Sequence, residues 1–549
     1  DSVFSLFFCL GDLFLNFEHI MTMKIFWSEG NMHIVSFSPF GYEGNIVSVE
    51  VDLRRGIPAV DLVGLADNAV KEARERMRSA IINSGFEFPK ERVLISLSPA
   101  DLKKEGAGFD LAMALAVLIN PIEDNLLKTT VLVMGELELS GKLRPVRGVH
   151  AAVSTAVSLG IKTCIVCSEN APEASGIKGM NVISCNTLRE AYESIICLQE
   201  KSLNKNEDSF PQDNDELEFS PIDLSQDFSL IKGMPFLVRG LQIAASGGHN
   251  VITYGPPGCG KTLAMQRFSS LLPYLSNEES QSVTRIYSLA GLLPPKSSLI
   301  KTRPFRMPHQ SASLEGMIGG GINCRPGEIS LAHNGILFLD EAAEFRSSVL
   351  QSLRVPLESG KVTLSRAGRH TVFPAQFQLL IATNPCPCGN FGSDNKICVC
   401  SAHSVEQYWK KFSGPLLDRI DIRIPVFSSS KDLLADDKTD LSTEKKSFST
   451  EFLRQDIATA IKVQKSRQGK LNAYLTPEEI NYFCKLDSEC TDYLNEQIEK
   501  NDFSARATHS CIKLARTIAD MKESYNIELQ DLKEAVSYRK NEGGINYCF

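Results

Sequence analysis

At 549 residues, with 58 Lys+Arg against 66 Asp+Glu and a formal net charge of -8, the chain has room for three or four domains of about 150 residues each. Its 43% hydrophobic and 23% charged residues exclude disorder throughout, and its acidity excludes an indiscriminate nucleic-acid binder, so any such site has to be concentrated in a groove or pore. The 15 cysteines, an odd number without a convincing secretion signal, favour reduced thiols or metal ligands over a disulfide framework, which predicts a cytoplasmic protein.

Residues 1–22 are rich in Phe and Leu, but the stretch begins with Asp1, lacks a basic leading region and is broken by Asp12. It fits a signal peptide poorly, and because Met21 and Met23 follow, it reads as an extension preceding the natural start. No later segment holds the eighteen or so apolar residues that a span requires, so no membrane partner is expected. Residues 23–199 alternate between patterns: Ile46–Leu53 and Val93–Leu97 read as strands, Asn68–Ser84 and Gly108–Leu118 as helices. That makes an α+β domain. Cys164 and Cys167 fall on a strand-like run, one expected to point inward and the other outward, and read as core residues.

Lys, Asn, Glu, Asp, Ser and Pro crowd residues 200–223, an acidic polar linker. In residues 224–448 the short apolar runs Asn250–Tyr254, Gly335–Leu339 and Gln378–Ala382 lack polar alternation, the mark of buried parallel strands. From 449 to 549 Pro and Gly thin out and amphipathic helix takes over, with Thr476-Pro477-Glu478-Glu479 forming a helix start. The fold class is α/β: an α+β domain, a central domain with a parallel sheet flanked by helices, and a C-terminal helical lid.

The central domain carries the chemistry. Gly255-Pro256-Pro257-Gly258-Cys259-Gly260-Lys261-Thr262 satisfies the phosphate-loop pattern between a strand and a helix. Glycines let backbone N–H groups turn toward phosphates, Lys261 reaches the β- and γ-phosphates of ATP, and the Thr262 hydroxyl ligates Mg²⁺. Asp340 and Glu341 end the apolar run Ile336–Leu339; there Asp340 would hold Mg²⁺ and Glu341 would orient or deprotonate the attacking water. Asn384, after another such strand, reaches the water or the γ-phosphate. Arg419 either supplies charge to the phosphates of an adjacent subunit or forms an ordinary surface pair with a neighbouring Asp.

Cys386, Cys388, Cys398 and Cys400 form two C-x-C pairs. They read as a structural Zn²⁺ site, with packing cysteines and redox-active thiols as the alternatives. Lys361–Val372 reads as two short strands joined at Ala367-Gly368, a hairpin bearing Lys361, Arg366 and Arg369. It is either a DNA-binding element or a solvated basic hairpin.

From about Met32 to Arg539 the chain resembles the Mg-chelatase-like AAA+ ATPases of the ComM/YifB type. The resemblance rests on Val63-Gly64-Leu65, Asn83-Ser84-Gly85-Phe86, Ser98-Pro99-Ala100-Asp101-Leu102, the stretch from Arg325 to His333, and the stretch from Ser413 to Asp421. It implies that Lys261 and Thr262 are Walker A residues, Asp340 and Glu341 Walker B, Asn384 sensor 1, Arg419 an arginine finger and Arg506 the sensor 2 arginine. It also implies that the basic hairpin points into the pore of a hexameric homo-oligomer, with Gly319–Gly321 as a second pore loop. Three positions depart from the pattern: Cys259 where Ser is common, Gln310 where a second His is common, and Ser510 where a second lid Arg often sits.

The N-terminal domain resembles the Lon-protease-like fold. That alignment puts Gly108 at the catalytic Ser and Ala152 at the Lys, which leaves no activated nucleophile and implies a binding or oligomerisation module. The expected function is therefore an ATP-driven ring motor on single-stranded or branched DNA, with branch migration or helicase activity in recombination and transformation. A chelatase-type subunit that remodels a protein partner is the alternative.

Overall fold

The computed structural model describes residues 33–65, 67–100, 102, 104, 106–121, 129–198, 217–294, 297–321, 324–366, 369–391, 396–426 and 448–539. Most of the expected linker, and the extension before residue 23, lie outside them. The chain forms two compact units: one draws its described residues from 1–213, 280–300 and 323–325, the other from 214–279, 301–322 and 326–549.

The first unit is built on a seven-stranded sheet in the order Val60–Val63, Arg92–Ser98, Asn45–Arg54, His33–Ser38, Thr130–Met134, Thr163–Cys167, Asn181–Cys185. The pairs formed by Asn45–Arg54 with His33–Ser38 and with Arg92–Ser98 are antiparallel, and the remaining pairs are parallel. Both faces of the sheet are covered: Ile165 and Cys167 join one core with Leu111 and Met113, while Cys164 and Val166 join another with Leu132 and Val153. Both cysteines are core residues, as expected, and only the outward pointing of one is corrected. Cys164 and Cys167 do face opposite ways, but neither faces solvent, because parallel strands carry helices on both sides. Gly108 lies in the turn Ala107–Phe109 and Ala152 is fully buried on the helix Val149–Ser158.

Residues 280–300 pack within this unit although the sequence assigns them to the central domain. Arg285 accounts for much of this. Its guanidinium lies 4.8 Å from the Tyr42 ring centroid and donates to the carbonyls of Tyr42 at 2.9 Å and Glu43 at 3.1 Å.

In the second unit five parallel strands run in the order Phe305–Arg306, Ile336–Leu339, Gln378–Thr383, Val251–Tyr254, Ile422–Pro425. The three middle strands have no exposed residue, as expected for apolar runs without alternation. Burial of one such Leu, Ile or Phe side chain stabilises the fold by about 1.5–3 kcal/mol. Helices Pro235–Gly247 and Thr450–Gln468 pack into the same core as Leu514, Ile518, Leu532 and Val536 of the helices Ala505–Met521 and Leu529–Ser537. Thr476 and Glu479 cap the helix Pro477–Phe483 reciprocally, the Thr476 amide donating to the Glu479 carboxylate at 2.7 Å. Among the described residues no helix is long and apolar enough to cross a membrane.

Candidate nucleotide site and thiol cluster

Three neighbouring parallel strands bring their C-terminal ends together. Val251–Tyr254 leads into the phosphate loop, Ile336–Leu339 into Asp340 and Glu341, and Gln378–Thr383 into Asn384. Register aligns them, Ile252 pairing with Ile381 and Phe338 with Leu380. The result is a cleft of about 360 Å³ lined by residues 257–263, Asp340, Glu341 and residues 382–384. Gly258 and Gly260 take φ of +82° and +84°, the left-handed backbone that turns N–H groups into the loop at little cost only without a Cβ.

Lys261 starts the helix Lys261–Arg267, and its ammonium donates to the carbonyls of Gly255 at 2.6 Å and Pro256 at 2.7 Å. The Thr262 hydroxyl donates to Asp340 Oδ1 at 3.1 Å. This juxtaposes one hydroxyl and one carboxylate, the hard oxygen donors that Mg²⁺ takes beside nucleotide phosphates. The Cys259 thiol is buried and donates to the Pro256 carbonyl at 2.9 Å, so the departure from Ser keeps a donor inside the loop.

Glu341 has a φ of +47°, uncommon for a residue with a side chain. Its carboxylate accepts a 2.6 Å hydrogen bond from the Gln310 amide. Gln310, flagged in the sequence only as a departure, is thus the partner of the expected catalytic carboxylate. Nothing local in the sequence announces that contact.

Arg419 and Arg506 do not line this cleft. Both are held elsewhere by Glu358: Arg419 Nη2 on Oε2, and Arg506 Nη2 on Oε1 at 2.7 Å. Two residues beyond Arg419, Asp421 accepts from the Ser510 hydroxyl at 2.6 Å and contacts His249 Nδ1 at 3.2 Å. Burial alone would raise the Asp421 carboxyl; Lys513, His249 and Ser510 outweigh it and hold it well below the usual range. Ser510, the other departure, therefore joins the lid helix to the strand edge by a hydrogen bond within the chain.

The four-cysteine loop follows Asn384 directly. Its thiol sulfurs all lie within 4.8 Å of one another, with Cys386 3.4 Å from Cys388 and 3.7 Å from Cys398, and Cys388 3.6 Å from Cys398. Four ligands on bonds of about 2.3 Å in a tetrahedron stand about 3.8 Å apart, so the set fits a Zn²⁺ ion. Cys386, Cys388, Cys398 and Cys400 would hold it, and it would supply a cross-link to the loop. The Asn390 backbone amide lowers the Cys388 thiol to about 6, which favours the thiolate that metals bind. Trp409 anchors the loop from behind, its indole N–H donating to the Pro385 carbonyl at 3.0 Å.

The basic hairpin pairs Lys361–Arg366 with Arg369–Pro374 in antiparallel register, Ser365 opposite His370. Lys361, Thr363 and Ser365 are exposed, while Val362 and Leu364 are buried. Arg366 and Arg369 stand at the hairpin's tip; their side chains lie outside the described set.

Residues 49–170 match the family described as "Subunit ChlI of Mg-chelatase", 227–434 that described as "Magnesium chelatase, subunit ChlI", and 447–539 its C-terminal family. The chain is 41% identical over 496 residues to the uncharacterized protein YifB of Escherichia coli, covering 90% of this chain and 94% of that protein. The chain belongs to the Mg-chelatase-like ComM/YifB family. To the competence protein ComM of Haemophilus influenzae, its identity is 36% over 532 residues, covering 94% of this chain and 98% of that protein. An uncharacterized protein of Mycobacterium tuberculosis is 35% identical over 509 residues, 91% of this chain and 97% of its own length. Membership makes the protein one of the Mg-chelatase-like AAA+ ATPases, which use ATP and Mg²⁺, and the cleft is the candidate site.

Proposed function

We propose that the protein is a homo-hexameric AAA+ ring motor that couples ATP hydrolysis to branch migration or unwinding of DNA during recombination, including uptake of foreign DNA. One observation carries the ring: the cleft gathers the phosphate loop, Asp340, Glu341 and Asn384, while both arginines are gathered on Glu358. Lys261 and Thr262 bind the phosphates and Mg²⁺, Glu341 activates water, and Arg419 of one subunit serves the phosphates on the next, as in other arginine-finger ATPases.

The DNA reading is supported by the exposed Lys361 at the base of a hairpin tipped by Arg366 and Arg369, and by similarity to a relative named for competence. Six such hairpins would surround a phosphate backbone with cations and bind it without sequence preference. A structural Zn²⁺ in the four-cysteine loop would brace the segment that follows Asn384 and packs against the phosphate loop. A motor that remodels a protein partner is the second reading, favoured by the chelatase family descriptions.

Lys361→Ala combined with Arg366→Ala should cut DNA stimulation of the ATPase by about tenfold and flatten its salt dependence, with DNA-free hydrolysis retained. Unchanged stimulation would remove the hairpin from the DNA path.

A further inference from the structure

Glu358 lies on the short helix Arg354–Ser359, which ends at Gly360 and leads straight into the basic strand Lys361–Arg366. Its two carboxylate oxygens are divided between two guanidinium groups that are distant in sequence. Arg419, 61 residues on, takes Oε2; Arg506, 148 residues on in the lid, takes Oε1 at 2.7 Å. Arg419 is also fixed by its second amino group, which donates to the Pro415 carbonyl at 2.6 Å.

Two guanidinium groups this close repel one another unless an anion lies between them. Glu358 is that anion, and the Arg419 hydrogen bond holds its carboxyl below the usual carboxylate range, with Arg506 and Arg354 adding to the effect. Three arginines around one carboxylate leave a net positive cluster. Its outer part is open to a second molecule, the Glu358 side chain being 56% and Arg506 48% exposed, with Arg419 behind them at 13%. Guanidinium groups match phosphate oxygens in geometry as well as charge.

We infer that Glu358 is a positioning residue for ATP turnover on the neighbouring subunit: it holds Arg419 and Arg506 side by side for the phosphates bound there, and it ties both to the hairpin that grips DNA. This rests on the ring reading above and extends it. Only Ser359 and Gly360 separate the carboxylate from Lys361, so a displacement of the hairpin by a bound strand moves the carboxylate and the arginines with it. The Glu358–Arg506 pair is exposed and contributes little to folding, so its effect belongs to kinetics.

Full-length Glu358→Ala should lose about tenfold or more in kcat while KM for ATP stays within about twofold, the split expected when an interaction acts on charge that develops in the transition state. Glu358→Asp should recover part of the rate, and Glu358→Gln, which keeps the shape without the charge, should fall between. Mixed rings locate the effect. Glu358→Ala subunits keep an intact cleft and Glu341→Gln subunits keep intact arginines, so an equal mixture should hydrolyse ATP several-fold faster than the sum of its parts. Arg419→Ala mixed with Glu341→Gln is the control for the ring. Recovery in the control but not with Glu358→Ala would overturn this inference alone. No recovery in either would overturn the ring reading and this inference with it. A raised KM at unchanged kcat, or a fully active Glu358→Gln, would also overturn it.

Discussion

In the proposed motor the Lys261 ammonium, bonded to the carbonyls of its own loop, is the cation for which an entering triphosphate would compete. That contact spans five and six residues, which is why the phosphate loop is legible in the sequence. Thr262 with Asp340 is legible as well, through the family pattern of strand ends. Gln310 and Glu358 are not, since their partners lie 31, 61 and 148 residues away and neither residue type announces a role. A third group shows what burial does to chemistry. Glu173 is 4% exposed, its carboxylate accepts from the Asn170 amide at 2.8 Å, and burial pushes its carboxyl up to about 7. A raised carboxyl contributes stability that is complete below its unfolded value near 4.5 and is lost as pH rises through about 7. The loss amounts to roughly 3 kcal/mol. Amide hydrogen exchange in the strand Thr130–Met134 should therefore lose protection between about pH 5 and 7, and Glu173→Gln should flatten that slope. An identical slope in the variant would rule Glu173 out as its source.

Elements divide by how local their causes are. The parallel strands of the second unit are legible because apolar runs buried on both faces leave no alternation, and the hairpin at residues 361–374 because Ala367-Gly368 interrupts alternating residues. The helix at Pro477–Phe483 is announced by its capping box. What escaped the sequence was tertiary: residues 280–300 leave the central domain because Arg285 finds Tyr42 more than 240 residues away. The four-cysteine loop has a consequence at this scale. Gly389, between the two C-x-C pairs, has a φ of +76°, and a Cβ there would stand 3.0 Å from Pro257 of the phosphate loop and 3.9 Å from Asn384. The thiol loop therefore packs against the phosphate loop. Gly389→Ala should lower the stability of the second unit by the ~1–2 kcal/mol that a side chain costs in left-handed backbone, read as a lower midpoint in denaturant, and an unchanged midpoint would contradict the strain. Metal analysis should find about one Zn²⁺ per chain, lost in Cys388→Ser with Cys398→Ser, with ATP affinity falling in parallel. Full ATP affinity in the metal-free variant would separate the loop from the site.

For the whole molecule, the sequence marked an α+β unit, a P-loop unit and helices at the end, because each has its own apolar periodicity. It did not mark the partition of residues 280–300, which depends on contacts rather than on pattern. The proposed ring and its DNA path rest on a cleft that gathers the phosphate loop, Asp340 and Glu341, on arginines collected apart from it on Glu358, and on a basic hairpin that follows that carboxylate in the chain. Family membership supports the ATPase, and the DNA path is a proposal with a direct test. The decisive experiment is the ATPase rate of the purified protein with and without single-stranded and branched DNA, alongside Glu341→Gln. The account predicts stimulation of several-fold or more that disappears in the variant, whereas hydrolysis indifferent to either DNA would contradict the DNA motor and point to a protein partner.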